Sequence, residues 1–153
     1  NVANINSSNQ IVISGTKTGV ELAIKKCKDL GAKRTISLAM SIPAHCALMK
    51  PAADRLSLEL DKIIFETPNI PIIQNVDFTL EQNIKRIKVK LSKQIYSPVR
   101  WFETIKEIKK LKVKTIIECG PGKVLSGLTK RISPNINTID LDNYNNFVSL
   151  NND

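Results

Sequence analysis

His45 is the one histidine in the 153-residue chain, and it sits in Ser41-Ile42-Pro43-Ala44-His45-Cys46-Ala47-Leu48-Met49-Lys50-Pro51. A single imidazole can serve as a general base or acid, or bind a metal. It can equally be a satisfied structural side chain at a helix start. Metal binding needs companions, and the three cysteines, Cys27, Cys46 and Cys119, lie far apart without a C-x-x-C pair. The familiar zinc spacings are absent, so no metal site is expected. An odd cysteine count with no disulfide framework fits a reducing compartment.

Other chemistries fail on spacing. Gly122-Lys123-Val124 lacks both the leading glycine and the hydroxyl of a phosphate-binding P-loop. Gly120-Pro121-Gly122 lacks the third glycine and the acidic partner of a dinucleotide fingerprint. No Gly-x-Ser-x-Gly nucleophile elbow occurs in these residues. Aromatic residues make up only 5% of the chain and do not interleave with Lys and Arg, so a base-stacking surface is unsupported.

The elements that must position His45 follow from apolar periodicity. Gln10–Ser14 is β-branched and predicts a strand ended by Gly15. Val20, Ala23, Ile24, Cys27 and Leu30 form a helical stripe stopped by Gly31. Thr35–Ser41 alternates as a second strand. Leu48, Ala52, Leu56, Leu60 and Ile63 mark an amphipathic helix, with Pro51 in its first turns, where a missing N–H costs least. His45 therefore falls between a strand and a helix, the usual place for catalytic groups in α/β folds.

Further on, Ile70–Val76 reads as a buried strand entered through Pro71. Helices follow at Ile84, Ile87, Leu91, Ile95 and at Trp101, Ile105, Ile108, Leu111. Val113–Cys119 predicts a strand, Val124–Ile132 a short helix, and Asn137–Leu141 a last strand. Residues 143–153 are polar and Asn-rich, a tail expected to fray. Strand–helix alternation of this kind favours α/β layering over a helical bundle. The first β-α-β stretch has no sheet of its own to join, so the chain reads as incomplete at its N-terminus.

Length and composition agree with one globular unit: 42% of residues are hydrophobic and 24% charged. No apolar run approaches the roughly 20 residues a membrane helix requires, and no membrane association is expected. Net charge is +9. A basic balance suits an anionic partner, but Lys, Asn and Ile are used throughout at the expense of Arg and Ala, as an AT-rich genome would produce. The charge alone identifies no partner.

Four blocks go beyond pattern. They are S-I-P-A-H-C-A-L-M-K-P-A-A-D-R-L from Ser41, I-P-I-I-Q-N-V-D from Ile70, K-Q-I-Y-S-P-V-R-W from Lys93 and E-C-G-P-G-K-V-L-S-G-L-T-K-R-I from Glu118. With their spacing they resemble the malonyl-CoA:acyl-carrier-protein transacylases of bacterial type II fatty-acid synthesis, in register from Gln10 to Ile132. The resemblance is greatest to enterobacterial members. Members of that family are about twice as long, so the resemblance covers a C-terminal half.

The resemblance implies an α/β fold: residues 1–41 as the remainder of a ferredoxin-like small subdomain, and 42–142 as part of a larger hydrolase-like, parallel-sheet subdomain. It implies transfer of malonate from malonyl-CoA to the pantetheine thiol of acyl carrier protein through a malonyl-serine ester. The serine, the arginine that pairs with the malonyl carboxylate and an oxyanion-hole donor would all lie in the missing half. His45 matches the catalytic histidine. Gln94 matches the residue whose backbone carbonyl orients that imidazole, although the residue pattern alone reads as a helix-end surface glutamine. Cys46, beside a histidine that partners serine, is read as packing.

Lys33-Arg34 matches a basic pair near the CoA entrance, where adjacent cations suit phosphates; a solvated turn pair is the alternative. Val124 matches a channel-lining position, against ordinary first-turn packing. Ala44 stands where the family often has Ser and related synthase domains have Phe, in a stretch that helps choose between malonyl and methylmalonyl. Ala44 leaves that choice open. The implied protein uses CoA thioester as substrate without a resident cofactor. It would bind no nucleic acid, be a monomer when full length, and reside in bacterial cytoplasm or, alternatively, a plastid-type organelle. The lysines at 106, 109, 110, 112 and 114 suit an acidic carrier protein, or form a solvated helix face. Two rivals predict otherwise. A domain cut from a multidomain fatty-acid or polyketide synthase predicts neighbouring-domain sequence beyond Asp153. A non-catalytic basic binding module predicts steeply salt-dependent binding to nucleic acid.

Overall fold

The computed structural model describes residues 1–150. The chain opens with β1 (Val2–Ser7) and β2 (Gln10–Ile13), an antiparallel hairpin turned at Ser8-Asn9. β1 is an element that the alternation did not reveal. Its pairing slips between Val2 and Asn4 and again between Ile5 and Ser7, and each slip scrambles the period of two on which strand recognition rests. β1 also reaches Val99: the Ile5 amide donates to the Val99 carbonyl at 2.9 Å, and the Val99 amide to Ala3 at 2.8 Å.

Helix α1 (Lys17–Asp29) starts on Thr16, whose hydroxyl accepts the Gly19 amide, and stops at Gly31 in the left-handed region at φ 87°. None of its residues is buried. Thr35–Ser41, expected as a strand, belongs to no regular element. A strand is defined by a ladder partner, and no other described segment lies alongside to supply the hydrogen bonds. Ile36, Leu38 and Met40, the alternating residues, are all exposed.

After a 3-10 turn (Ala47–Met49), α2 (Lys50–Lys62) carries Pro51 in its first turn, as its sequence position requires, and turns Ala53 and Leu60 inward. It packs on α3 (Ile84–Lys93), which Asn83 caps by accepting the Arg86 amide at 3.1 Å. Between them, the expected buried strand Ile70–Val76 shrinks to β3 (Ile72–Ile73), paired with β4 (Leu80–Glu81). Ile70 and Ile72 are exposed, and only Gln74 and Val76 of that stretch are buried. The chain turns back at Asp77-Phe78 too soon for a longer ladder.

α4 (Trp101–Lys110), β5 (Thr115–Glu118), α5 (Val124–Ile132) and β6 (Asn137–Asp140) complete the α/β part, with β5 and β6 parallel and α5 as their crossover. The tightest core lies here. Ile105 of α4 and Thr129 of α5 are completely buried, with Leu128, Ile136 and Ala3 of β1 close behind. Of the polar tail expected to fray, the described part forms a further helix, α6 (Tyr144–Leu150), started by Asn143, whose side-chain oxygen accepts the Asn145 amide at 2.9 Å; residues 151–153 of that tail lie outside the described residues. No helix among the described residues is long and apolar enough to cross a membrane.

Candidate active site

His45 adopts φ 59°. A non-glycine residue holds this left-handed conformation at a cost, and does so durably only when its surroundings fix it. Two contacts do so. The His45 amide donates to the Ile95 carbonyl at 3.1 Å, and its Nδ1 lies 2.8 Å from the Gln94 carbonyl oxygen. A carbonyl can only accept, so the second contact requires the proton on Nδ1 and leaves the Nε2 lone pair free in the neutral ring. Gln94 caps α3, and carbonyls at a helix C-terminus lack intrahelical partners. The end of α3 thus presents two acceptors in succession to one residue.

The neighbours of His45 are held in the same way. The Ala44 carbonyl accepts the Ser14 hydroxyl at 2.7 Å, which ties the segment to the end of the N-terminal hairpin. Cys46 is buried, its thiol directed at the Pro43 carbonyl at 3.1 Å. A thiol so enclosed is a packing group rather than a nucleophile.

The end of β5 has its own fixed geometry. Gly120 (φ 155°) and Gly122 (φ 78°) flank Pro121 in conformations that side chains rarely adopt. Glu118 reaches across this turn to accept the amides of Leu125 at 3.0 Å and Ser126 at 2.7 Å, in the first turn of α5. Desolvation works to raise the Glu118 carboxyl, but the Ser126 and Leu125 hydrogen bonds outweigh it and hold the group below its ordinary 4.5. A carboxylate on helix-start amides also complements the helix dipole. Val124, immediately before those amides, is 70% exposed and free to line a cleft.

The other sequence-derived candidates are dispersed. Lys33 and Arg34 are exposed in the irregular segment after α1 and have no ion-pair partner among the described residues. The five lysines from 106 to 114 are exposed, with Lys110 paired to Glu107 and Lys106 lying over the Phe102 ring. No group of three His, Cys, Asp or Glu residues could hold a metal ion among the described residues. An open groove lined by Ile63, Phe65, Lys88 and Val89, between α2 and α3, includes neither His45 nor Gln94.

No family model matches the chain. By sequence it is 46% identical over 144 residues to the malonyl CoA-acyl carrier protein transacylase of Haemophilus influenzae, covering 94% of this chain and 46% of the relative. It is 50% identical over 129 residues to the Escherichia coli protein of the same name, covering 84% and 42%. By fold it matches a malonyl-transacylase solved in complex with its holo type II PKS acyl-carrier protein, with a TM-score of 0.94, 45% identity, and 99% and 50% coverage. The chain matches one half of the malonyl CoA-acyl carrier protein transacylases, in sequence and in fold. It spans about half the length of the curated transacylases it matches, and corresponds to their C-terminal half.

Set beside that transacylase half, the residue pattern missed three parts of the His45 surroundings. The Ile95 carbonyl could not be found, because a backbone acceptor leaves no residue-type signature. Ser14 carries in the sequence only the signal of a strand end. The third is Lys90, whose ammonium sits 3.0 Å from Asp77, 3.1 Å from Glu81 and 2.7 Å from the Thr79 hydroxyl. Desolvation acts to lower the Lys90 ammonium, and the two carboxylates overcome it and leave it raised. Lys90 is one turn before Gln94, whose amide donates to the Lys90 carbonyl at 2.9 Å. The available sequence signal was an acid-rich turn followed by a cation on an otherwise amphipathic helix.

Proposed function

We propose that these residues supply the general base and part of the CoA-binding cleft of a malonyl-CoA:acyl-carrier-protein S-malonyltransferase acting in fatty-acid biosynthesis. The observation that carries this reading is the 2.8 Å contact from His45 Nδ1 to the Gln94 carbonyl, in a chain that matches one half of these transacylases.

In the first half-reaction, His45 Nε2 takes the proton from a serine hydroxyl as its oxygen attacks the malonyl thioester carbonyl. The C–S bond breaks, and the imidazolium returns the proton to the departing CoA thiolate. In the second, Nε2 deprotonates the pantetheine thiol of acyl carrier protein, the thiolate attacks the malonyl-serine ester, and the serine oxygen recovers the proton. A neutral carbonyl on Nδ1 fixes the tautomer and ring orientation, though it stabilises the imidazolium less than a carboxylate would. The serine comes from outside these 153 residues, since no Gly-x-Ser-x-Gly is present in them.

In the same reading, Lys33 and Arg34 bind CoA phosphates and Val124 lines the channel to the thioester. Ala44, small beside the base, leaves the choice between malonyl and methylmalonyl open. The CoA thioester is substrate, and no resident cofactor takes part. Residues 1–41 belong with a small subdomain and 42–142 with the larger α/β one. The exposed lysines near the end of α4 suit an acidic carrier protein, and the setting is bacterial cytoplasm.

The test uses a longer protein that joins these residues to the N-terminal half found in the relatives. There, His45→Ala is expected to lower malonyl transfer to carrier protein by roughly 10²–10⁴-fold, the usual worth of a positioned general base. Transfer that survives this change overturns the reading. The 153 residues alone are expected to form no malonyl ester, and a malonylated product seen by mass spectrometry would count against it equally.

A further inference from the structure

The left-handed backbone and ring orientation of His45 depend on the carbonyls of Gln94 and Ile95, so whatever fixes those carbonyls fixes the imidazole. Residues 94–100 leave the end of α3 and return to α4, and one small structure grips this stretch from both sides. Before it, Lys90 binds Asp77, Thr79 and Glu81 of the β3–β4 hairpin. After it, the Arg100 amide donates to the Asn75 carbonyl at 3.2 Å, and its guanidinium lies 4.6 Å from the centre of the Phe78 ring. Glu103 holds the same guanidinium at 2.8 Å.

We propose that the 74–81 hairpin is a clamp that positions the general base, setting the Gln94 and Ile95 carbonyls, and through them the His45 ring, by way of Lys90 and Arg100. Lys90, Thr79 and Arg100 are then positioning residues, since none of them touches the imidazole.

Several features of the hairpin fit this role better than that of an ordinary surface turn. Lys90 and Glu81 have side chains only 13% and 10% exposed, and long charged side chains are rarely so enclosed unless fully paired. The pairing is complete at both ends. Glu81 also accepts the amides of Gln82 at 3.2 Å and Asn83 at 3.1 Å, so one carboxylate joins the start of α3 to a side chain near its end. Asp77 accepts the Thr79 amide and hydroxyl, which stiffens the turn that Lys90 holds. Phe78 sits at φ 49°, a second non-glycine residue in the left-handed region, and its ring is the one that Arg100 covers. Removing one partner of an enclosed ion cluster strands the others, so the arrangement tolerates few alternatives.

This inference rests on the reading of His45 as the base, but its test reads the ring rather than the transfer. His45 is the one histidine, so in the ¹⁵N-labelled chain its two ring nitrogens give unambiguous signals. The parent is expected to show protonated Nδ1 and unprotonated Nε2. Lys90→Met should move the two shifts toward each other as the tautomers mix, Lys90→Arg should largely restore them, and Thr79→Ala should give a smaller move in the same direction. Lys62→Met, which removes only an exposed pair with Glu59, should leave both unchanged. Should Lys90→Met fail to fold, Thr79→Ala decides, because it strands no charge. Ring signals identical to the parent in a folded Lys90→Met or Thr79→Ala variant would overturn the clamp. A moved ring together with unimpaired transfer by His45→Ala in the longer protein would keep the clamp and sink the catalytic reading.

Discussion

Between Ser7 and Cys46 not one residue is buried, whereas from Cys46 onward each of α2, α3, α4 and α5 turns part of a face inward. Both regions carry apolar stripes. That of α1 is covered only in part, with Val20, Ala23 and Ile24 half-buried and Leu30 in solvent, while Ile105 of α4 is sealed. The difference shows that periodicity names the face that needs a partner without supplying one. Packing in this chain comes from β1, α4, α5 and the β5–β6 pair, which close on one another. α1 meets only a partial cover and residues 30–42 are exposed but for Thr35, and His45 lies at the boundary between the two regimes.

The largest test of that contrast is a pair of truncations. Ile105→Ala is expected to cost about 2–5 kcal/mol, the range for emptying a sealed core site. Leu30→Ala, 88% exposed, should stay within about 0.5 kcal/mol. Denaturant unfolding measures both, and equal costs would erase the distinction. Hydrogen exchange sharpens it residue by residue: α5 amides should exchange only with global unfolding, and α1 amides far sooner.

A smaller effect comes from Glu118. Its folded-state carboxyl lies below its ordinary 4.5, so its stabilisation is complete above the unfolded value and disappears as pH falls through the folded one. Glu118→Gln should therefore cost about 1 kcal/mol near neutrality, as a lost helix-start acceptor does, and the deficit should vanish in acid. A deficit independent of pH would assign the loss to packing instead. Smallest in stability is the pair Lys33→Ala with Arg34→Ala, which should leave the unfolding midpoint unchanged. In the longer protein the same pair should raise KM for the CoA thioester several-fold, with kcat little altered. A shifted midpoint would mean that the exposed region carries structural load after all.

The sequence was most informative about helices. Val124–Ile132 is observed as expected, and α3 and α4 fall on their apolar stripes, because a helix closes its hydrogen bonds within itself. Strands were less legible, since their bonds lie with distant residues. Thr35–Ser41 has the alternation and lacks the neighbour; β1 has the neighbours, but its slips in register hide the alternation. The site divides along the same line. A lone histidine before a helix was visible as a candidate, but 49 residues separate it from the Gln94 carbonyl, and only resemblance to a family joined the two. Lys90 has no signature of its own in the sequence, because a cation on a Lys-rich helix resembles its solvated neighbours and its three partners lie on another element.

The placement of the three thiols gives the molecule a gauge of its own integrity. Cys27 and Cys119 are exposed, and Cys46, beside the histidine, is enclosed. An alkylating reagent should thus mark two sulfurs on the intact chain, and a third only when the corner around residue 46, ahead of α2, opens. Counting added masses over time would then report the lifetime of that one corner, separately from the melting of everything else.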